Sequence, residues 1–265
     1  MPGAELSSFS YFDARTPLAI AHRGGALLPA NEGIENSLRA FKNAVELGYH
    51  YLETDVHCSV DGVVYAFHDE SLERLTGDSS AIRDLPARTI DKARLGGREP
   101  IPRMGDLLDA LPRARFNIDI KADDAVDATL DLIEFHGAQD RVCFASFSHE
   151  RLSRIRARLP HVATSMSPRE VAWLKLGPIA AAQAYGVNRG AVCAQVPHRR
   201  GHLTVVTQRF VQRAHALGMQ VHVWTIDDPA EMNQLLDLGV DGLVSDRIDV
   251  LKDVLSARGR WKDPL

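Results

Sequence analysis

Tyr51-Leu52-Glu53-Thr54-Asp55-Val56-His57 is the stretch on which the fold turns. In an extended strand successive side chains point to opposite faces. Tyr51, Glu53, Asp55 and His57 therefore share one face, and Leu52, Thr54 and Val56 share the other. The first face carries two carboxylates and an imidazole. Burying unpaired charge is costly, so this face either meets water or holds something positive. Phe116-Asn117-Ile118-Asp119-Ile120-Lys121 repeats the pattern, with Asn117, Asp119 and Lys121 opposite Phe116, Ile118 and Ile120. Two strands with apolar backs and charged fronts predict a sheet whose inner surface becomes a site at one end.

Outward from these strands the chain alternates. Leu18–Ala21 is an apolar run closed by His22-Arg23-Gly24-Gly25. Asn36 or Ser37 caps a predicted helix that Gly48 stops. Asp61-Gly62 is a hairpin signal before Val63–Asp69. Residues 70–100 are polar and turn-rich, with Gly77, Pro86, Gly96 and Gly97. Strands then follow at 141–147, 162–166, 191–196, 221–226 and 242–245. Helices follow at 104–111, 124–136, 149–159, 168–184, 207–217, 229–238 and 248–257.

Alternating β and α segments with short connections imply a parallel sheet. Roughly eight repeats in about 250 residues match a closed (β/α)8 TIM barrel, an α/β single domain. An open doubly wound sheet is the alternative. The absence of a glycine-rich dinucleotide fingerprint or P-loop weighs against it. The domain reading is one catalytic barrel over 1–265, with 1–16 a polar leader and 258–265 a polar tail.

The bulk numbers narrow the function. The 265 residues are 45% hydrophobic and 25% charged, an ordinary globular composition. A net charge of −4 gives no reason to expect nucleic-acid binding. The 3 cysteines match no zinc spacing, and their sparse odd count suits a reducing compartment. There is no run of signal-peptide length and no membrane span, so the expected location is cytoplasmic. The sequence leaves the oligomeric state unknown.

His22, His57, His68, Lys121, Ser146 and Trp224 all fall near the C-terminal ends of predicted strands, where this barrel carries its site. Glu53, Asp55 and Asp119 would repel one another unless a cation joined them. Oxygen-only donors favour a hard ion, Mg²⁺ or Ca²⁺. The same three also fit a structural ion-pair network with Lys121 and Arg23. His22 and His68 each end an apolar strand and suit proton transfer near neutral pH. Arg23 and Lys121 suit an anionic, phosphorylated substrate. Trp224 shares a strand face with His222 and reads as a core or rim aromatic, giving an apolar wall if it reaches the site. His149, His161, His198, His202 and His215 receive no role. No serine, cysteine or lysine nucleophile is paired with a base in any motif, which leaves water or a substrate hydroxyl to attack phosphorus.

Taken in order, these residues resemble the glycerophosphodiester phosphodiesterase family. The match runs through His22-Arg23-Gly24, Glu35-Asn36-Ser37, Glu53-Thr54-Asp55-Val56-His57, Asp61-Gly62, Phe67-His68-Asp69 and Leu72-x-Arg74-x-Thr76. It continues through Asn117–Lys121, Val223-Trp224-Thr225 and Gly239-Val240-Asp241-Gly242. The resemblance implies a (β/α)8 barrel that hydrolyses a small-molecule glycerophosphodiester to an alcohol and glycerol 3-phosphate. It implies His22 and His68 as the catalytic acid–base pair, and a divalent metal on Glu53, Asp55 and Asp119. It implies Arg23 and Lys121 as phosphate contacts, and a cyclic glycerol phosphate intermediate. Asp119 stands where the family usually has glutamate, and the loop from Gly25 to Ile34 is longer than usual. Two alternatives stand beside this reading. One is a related barrel phospholipase D-type enzyme acting on lysophospholipids, which the lack of an apolar surface segment disfavours. The other is a non-catalytic barrel that binds a phosphorylated metabolite.

Overall fold

The structure, a computed structural model, describes residues 9–261. Leader residues 1–8 and tail residues 262–265 lie outside the described residues.

Eight parallel strands form the barrel: β1 (Leu18–His22), β2 (Tyr51–Cys58), β3 (Arg115–Ile120), β4 (Val142–Ala145), β5 (Ala163–Ser165), β6 (Ala191–Pro197), β7 (Gln220–Trp224) and β8 (Gly242–Ser245). Each pairs with its sequence neighbour, and β1 closes the ring against both β8 and β2. That closure excludes the open doubly wound sheet. The register sets Glu53 opposite Asn117 and Asp55 opposite Asp119, and His22 opposite Glu53. The period of two read from the sequence therefore brings the charged faces of β1, β2 and β3 side by side.

The apolar faces sort by side of the wall. Leu52, Val56, Phe116, Ile118 and Ile120 pack outward with Phe41 and Ala44 of helix α1 (Leu38–Glu46). Leu18, Ile20, Tyr51, Cys143, Cys193 and Val244 fill the barrel interior. The hydroxyl of Ser37 accepts from the Ala40 amide and so caps α1. The predicted helix over 168–184 is two helices, Pro168–Leu176 and Ile179–Tyr185. Pro178 has no amide hydrogen to continue the ladder and drives the preceding residue into extended backbone.

Two sequence expectations change. Residues 9–12 are no polar leader: Phe9, Tyr11 and Phe12 are buried in the interior cluster. The Tyr51 hydroxyl donates to the Tyr11 carbonyl at 2.6 Å, so this segment plugs the end of the barrel where β2 begins. An isolated aromatic cluster has no helical or strand period to announce it. Residues 70–100 are turn-rich as expected, but they also have a core of their own. Leu72, Ile82, Leu85, Ile90 and Leu95 close over Ile34, Tyr65 and Phe67. Their irregular spacing hid it.

The turn after β1 is set by crowding. Arg23, Gly24 and Gly25 all have positive φ, at 50°, 83° and 88°. A Cβ on Gly24 would lie 2.9 Å from the Ala40 backbone, and one on Gly25 would lie 2.5 Å from the Ile248 side chain. Glycine alone lets α1 and helix α8 (Ile248–Ala257) close on this turn. Arg23 itself is held in the left-handed region, a strain that functional sites often store.

Candidate active site

The site is built at the C-terminal ends of β1, β2, β3, β7 and β8. His22 ends β1. Its Nδ1 lies 2.8 Å from Asp246 Oδ1, and its Nε2 faces Glu53 Oε2 at 3.7 Å. Asp246 follows β8 and is itself anchored, because its backbone amide donates to Asp227 Oδ1 at 2.8 Å. Burial disfavours the imidazolium of His22, but Glu53 and Asp246 outweigh it and raise the ring's pKa above the ordinary value.

His68 lies beyond the short antiparallel strand Val64–Ala66. Its Nδ1 meets Asp69 Oδ1 at 3.0 Å, and its side chain is 38% exposed. Its backbone carbonyl lies 3.2 Å from His57 Nε2. A carbonyl only accepts, so His57 carries its proton on Nε2. Burial pushes the His57 pKa down and keeps it neutral. His57 thus braces His68 from beneath.

The carboxylates are buried between these histidines. Asp55 Oδ1 lies 2.8 Å from Lys121 Nζ, and its Oδ2 lies 3.1 Å from Arg23 Nε in an ion pair. Asn36 Nδ2 reaches the same Oδ2 at 3.4 Å, and the Asn36 Oδ1 accepts from Thr54 Oγ1 at 2.8 Å. Burial alone would raise the Asp55 pKa, but Lys121 and Arg23 reverse it and hold the group below its usual value. Lys121 Nζ also donates to Asp119 Oδ2 at 2.6 Å. The other oxygen, Asp119 Oδ1, is buried with no partner. Glu53 accepts the Arg23 amide at 3.2 Å. Burial, then repulsion from Asp55, pushes its pKa up to about 7.

The donor set fits a hard divalent ion. It offers oxygen only, one of those oxygens is orphaned, and Glu53 is desolvated with only His22 within ion-pair distance among the described residues. Side-chain placement does not yet match a ligand shell. Among the described residues no three histidine, cysteine, aspartate or glutamate side chains are grouped so that they could hold a metal ion. Lys121 lies between Asp55 and Asp119 instead.

A stability prediction follows from Glu53. With its pKa pushed up to about 7, Glu53 should keep, between pH 4.5 and about 7, a proton in the folded chain that the unfolded chain has released. Its contribution to stability is complete below 4.5 and is lost as pH rises through 7. Glu53→Gln has no charge to form. In chelator, the melting temperature of the variant should rise relative to wild type between pH 5 and 8. A gap that stays flat across that range contradicts the assignment.

Trp224 ends β7 half-buried, its ring 5.9 Å from Phe147 in an edge-to-face contact. Lys121 Nζ lies 6.0 Å from the Phe147 ring. This places Trp224 beside the charged cluster. Phe147 and Leu27, which follow β4 and β1, are 65% and 56% exposed. Ser146 is no nucleophile here, because its hydroxyl donates to the Ile120 carbonyl at 2.9 Å. Among the described residues no helix is long and apolar enough to cross a membrane.

Sequence reasoning missed Asp246, Asp69, Glu35 and Arg74 as parts of the site. The last three lay within quoted motifs but received no role. Asp246 had no signal beyond its place after the last strand.

Comparison with known proteins places the chain in a family. The profile of the Glycerophosphoryl diester phosphodiesterase family matches residues 22–250. A Mycobacterium tuberculosis protein named probable glycerophosphodiester phosphodiesterase 2 is 43% identical over 249 residues, covering 92% of each chain. A putative glycerophosphoryl diester phosphodiesterase from Silicibacter pomeroyi superposes with a TM-score of 0.78 at 23% identity, over 96% of this chain and 100% of that one. An Oleispira antarctica phosphodiesterase, solved in complex with the product sn-glycerol-3-phosphate, gives 0.76 at 22% identity, over 91% and 97%. With the family profile spanning nearly the whole barrel and a relative at 43% identity, the chain belongs to the glycerophosphoryl diester phosphodiesterase family.

Proposed function

We propose that this chain hydrolyses glycerophosphodiesters to an alcohol and sn-glycerol 3-phosphate, with His22 and His68 as its acid–base pair. One observation carries the reading. Two imidazoles at one barrel mouth are each backed on Nδ1 by a carboxylate, Asp246 and Asp69. That fixes the tautomer and leaves both Nε2 atoms for proton transfer. The similarity to a phosphodiesterase solved with sn-glycerol-3-phosphate supports the product.

Glu53, Asp55 and Asp119 would hold a divalent cation, Mg²⁺ or Ca²⁺. When bound it supplies Lewis-acid polarisation of a phosphate oxygen. Arg23 and Lys121 offer positive charge to the phosphate, Lys121 by leaving one of its two carboxylates. Trp224 and Phe147 wall the substrate on the apolar side. One histidine accepts the proton of the attacking hydroxyl, and the other protonates the leaving alcohol.

The test is glycerophosphocholine incubated with the protein after metal stripping, with Mg²⁺ or Ca²⁺ restored. Choline and glycerol phosphate should appear with metal and vanish with chelator. Binding without release under either ion contradicts the reading and favours the silent barrel. The exposed Leu27 and Phe147 favour one second reading, an acylated glycerophosphodiester such as lysophosphatidylcholine. A higher kcat/KM for that substrate than for glycerophosphocholine would establish it.

A further inference from the structure

A chain of charged groups leads away from His68. Asp69 uses one oxygen on His68 and the other on Arg74 Nε, at 2.7 Å. The far nitrogen of Arg74 donates to Glu35 Oε1 at 3.0 Å. Glu35 Oε2 lies 3.5 Å from an Arg23 guanidinium nitrogen, and Arg23 Nε pairs with Asp55. Arg74 therefore ties the loop after β2, which carries His68, to the loop after β1, which carries Arg23.

An isolated surface ion pair is worth little. Arg74 differs because its planar fork spans two carboxylates from separate loops, and each carboxylate holds a residue of the site. Its own support is thin. It sits on a single helical turn, Glu73–Thr76, with its side chain 48% exposed. We propose that Arg74 is a positioning residue: by fixing Asp69 it aims the His68 ring, and through Glu35 it holds that aim in register with Arg23. The proposal rests on the reading of His68 as an acid–base group. A lysine cannot replace Arg74, because one ammonium does not offer two donors in a fixed plane.

The experiment measures kcat and KM for glycerophosphocholine in Arg74→Ala, Arg74→Lys, Glu35→Gln and His68→Ala, with circular dichroism on each. Arg74→Ala should lose about tenfold or more in kcat with KM within about twofold of wild type, as outer partners of an active imidazole commonly do. Arg74→Lys should recover less than half of that loss. Added guanidinium should raise turnover of Arg74→Ala but not of His68→Ala. In a His68→Ala background the Arg74 change should cost less than about twofold, since the two act as one unit.

Wild-type turnover in a folded Arg74→Ala protein overturns the proposal. So does an equal loss with and without His68. If Arg74→Ala does not fold, Glu35→Gln decides: it should lower kcat at unchanged KM, and wild-type kinetics there overturn the proposal. Full activity of His68→Ala overturns the acid–base reading itself, and the proposal with it, because aiming an idle ring has no kinetic consequence.

Discussion

His22→Ala and His68→Ala should each lower kcat by about 10²–10⁴-fold, the usual contribution of a general acid or base. The fold survives both changes, because both side chains sit at the mouth. The His22 side chain is 16% exposed and the His68 side chain 38%. Neither fills the apolar core, so truncation opens no core cavity. The two defects should be far from additive, since the proposed roles put both groups in one proton circuit. Steady-state kinetics on the two single variants and the double variant measure this. A folded single variant that keeps more than half of wild-type kcat removes that histidine from the mechanism.

Much of the fold could be read from β2 and β3. Alternation placed Glu53, Asp55 and Asp119 on one face, and the register Asp55 opposite Asp119 holds them there. Period two is a local property, so it survives folding unchanged. The plug formed by Phe9, Tyr11 and Phe12 was not legible, because its partner Tyr51 is 40 residues from Tyr11. Nothing local to that segment says whether its aromatics meet water or a barrel interior.

The site was legible in its ionisable residues and not in what holds them. His22 and His68 stood out as imidazoles at strand ends. The carboxylates behind them did not. Asp246 lies 224 positions from His22 in the chain, and only barrel closure joins them. Asn36 reaches Asp55 because its backbone adopts φ 62°, a conformation that no side-chain pattern announces. The sequence offered a metal or Lys121 as the partner of Asp55 and Asp119. The structure puts the ammonium between them and leaves Asp119 Oδ1 unpartnered.

We propose that the substrate supplies its own nucleophile. Ser146 is committed to the Ile120 carbonyl, and the cysteines are buried. Glycerol carries a hydroxyl on the carbon next to the phosphate ester. Held in place, that hydroxyl reacts with the entropic advantage of an intramolecular group, with effective molarities of about 10⁵–10⁸ M. Liquid water, at about 55 M, lacks this advantage, so losing the hydroxyl should cost at least about 10³-fold. In the proposed mechanism one histidine would remove the proton from the hydroxyl and the other would protonate the leaving alcohol. Water would then open the cyclic glycerol phosphate with the two roles reversed. The direct measurement is choline release from the 2-deoxy analogue of glycerophosphocholine, with its binding followed by inhibition of the natural reaction. The analogue should compete for the site yet release choline at least about 10³-fold more slowly. Release at a rate close to that from the natural diester would mean that water attacks phosphorus directly, and would contradict the proposal.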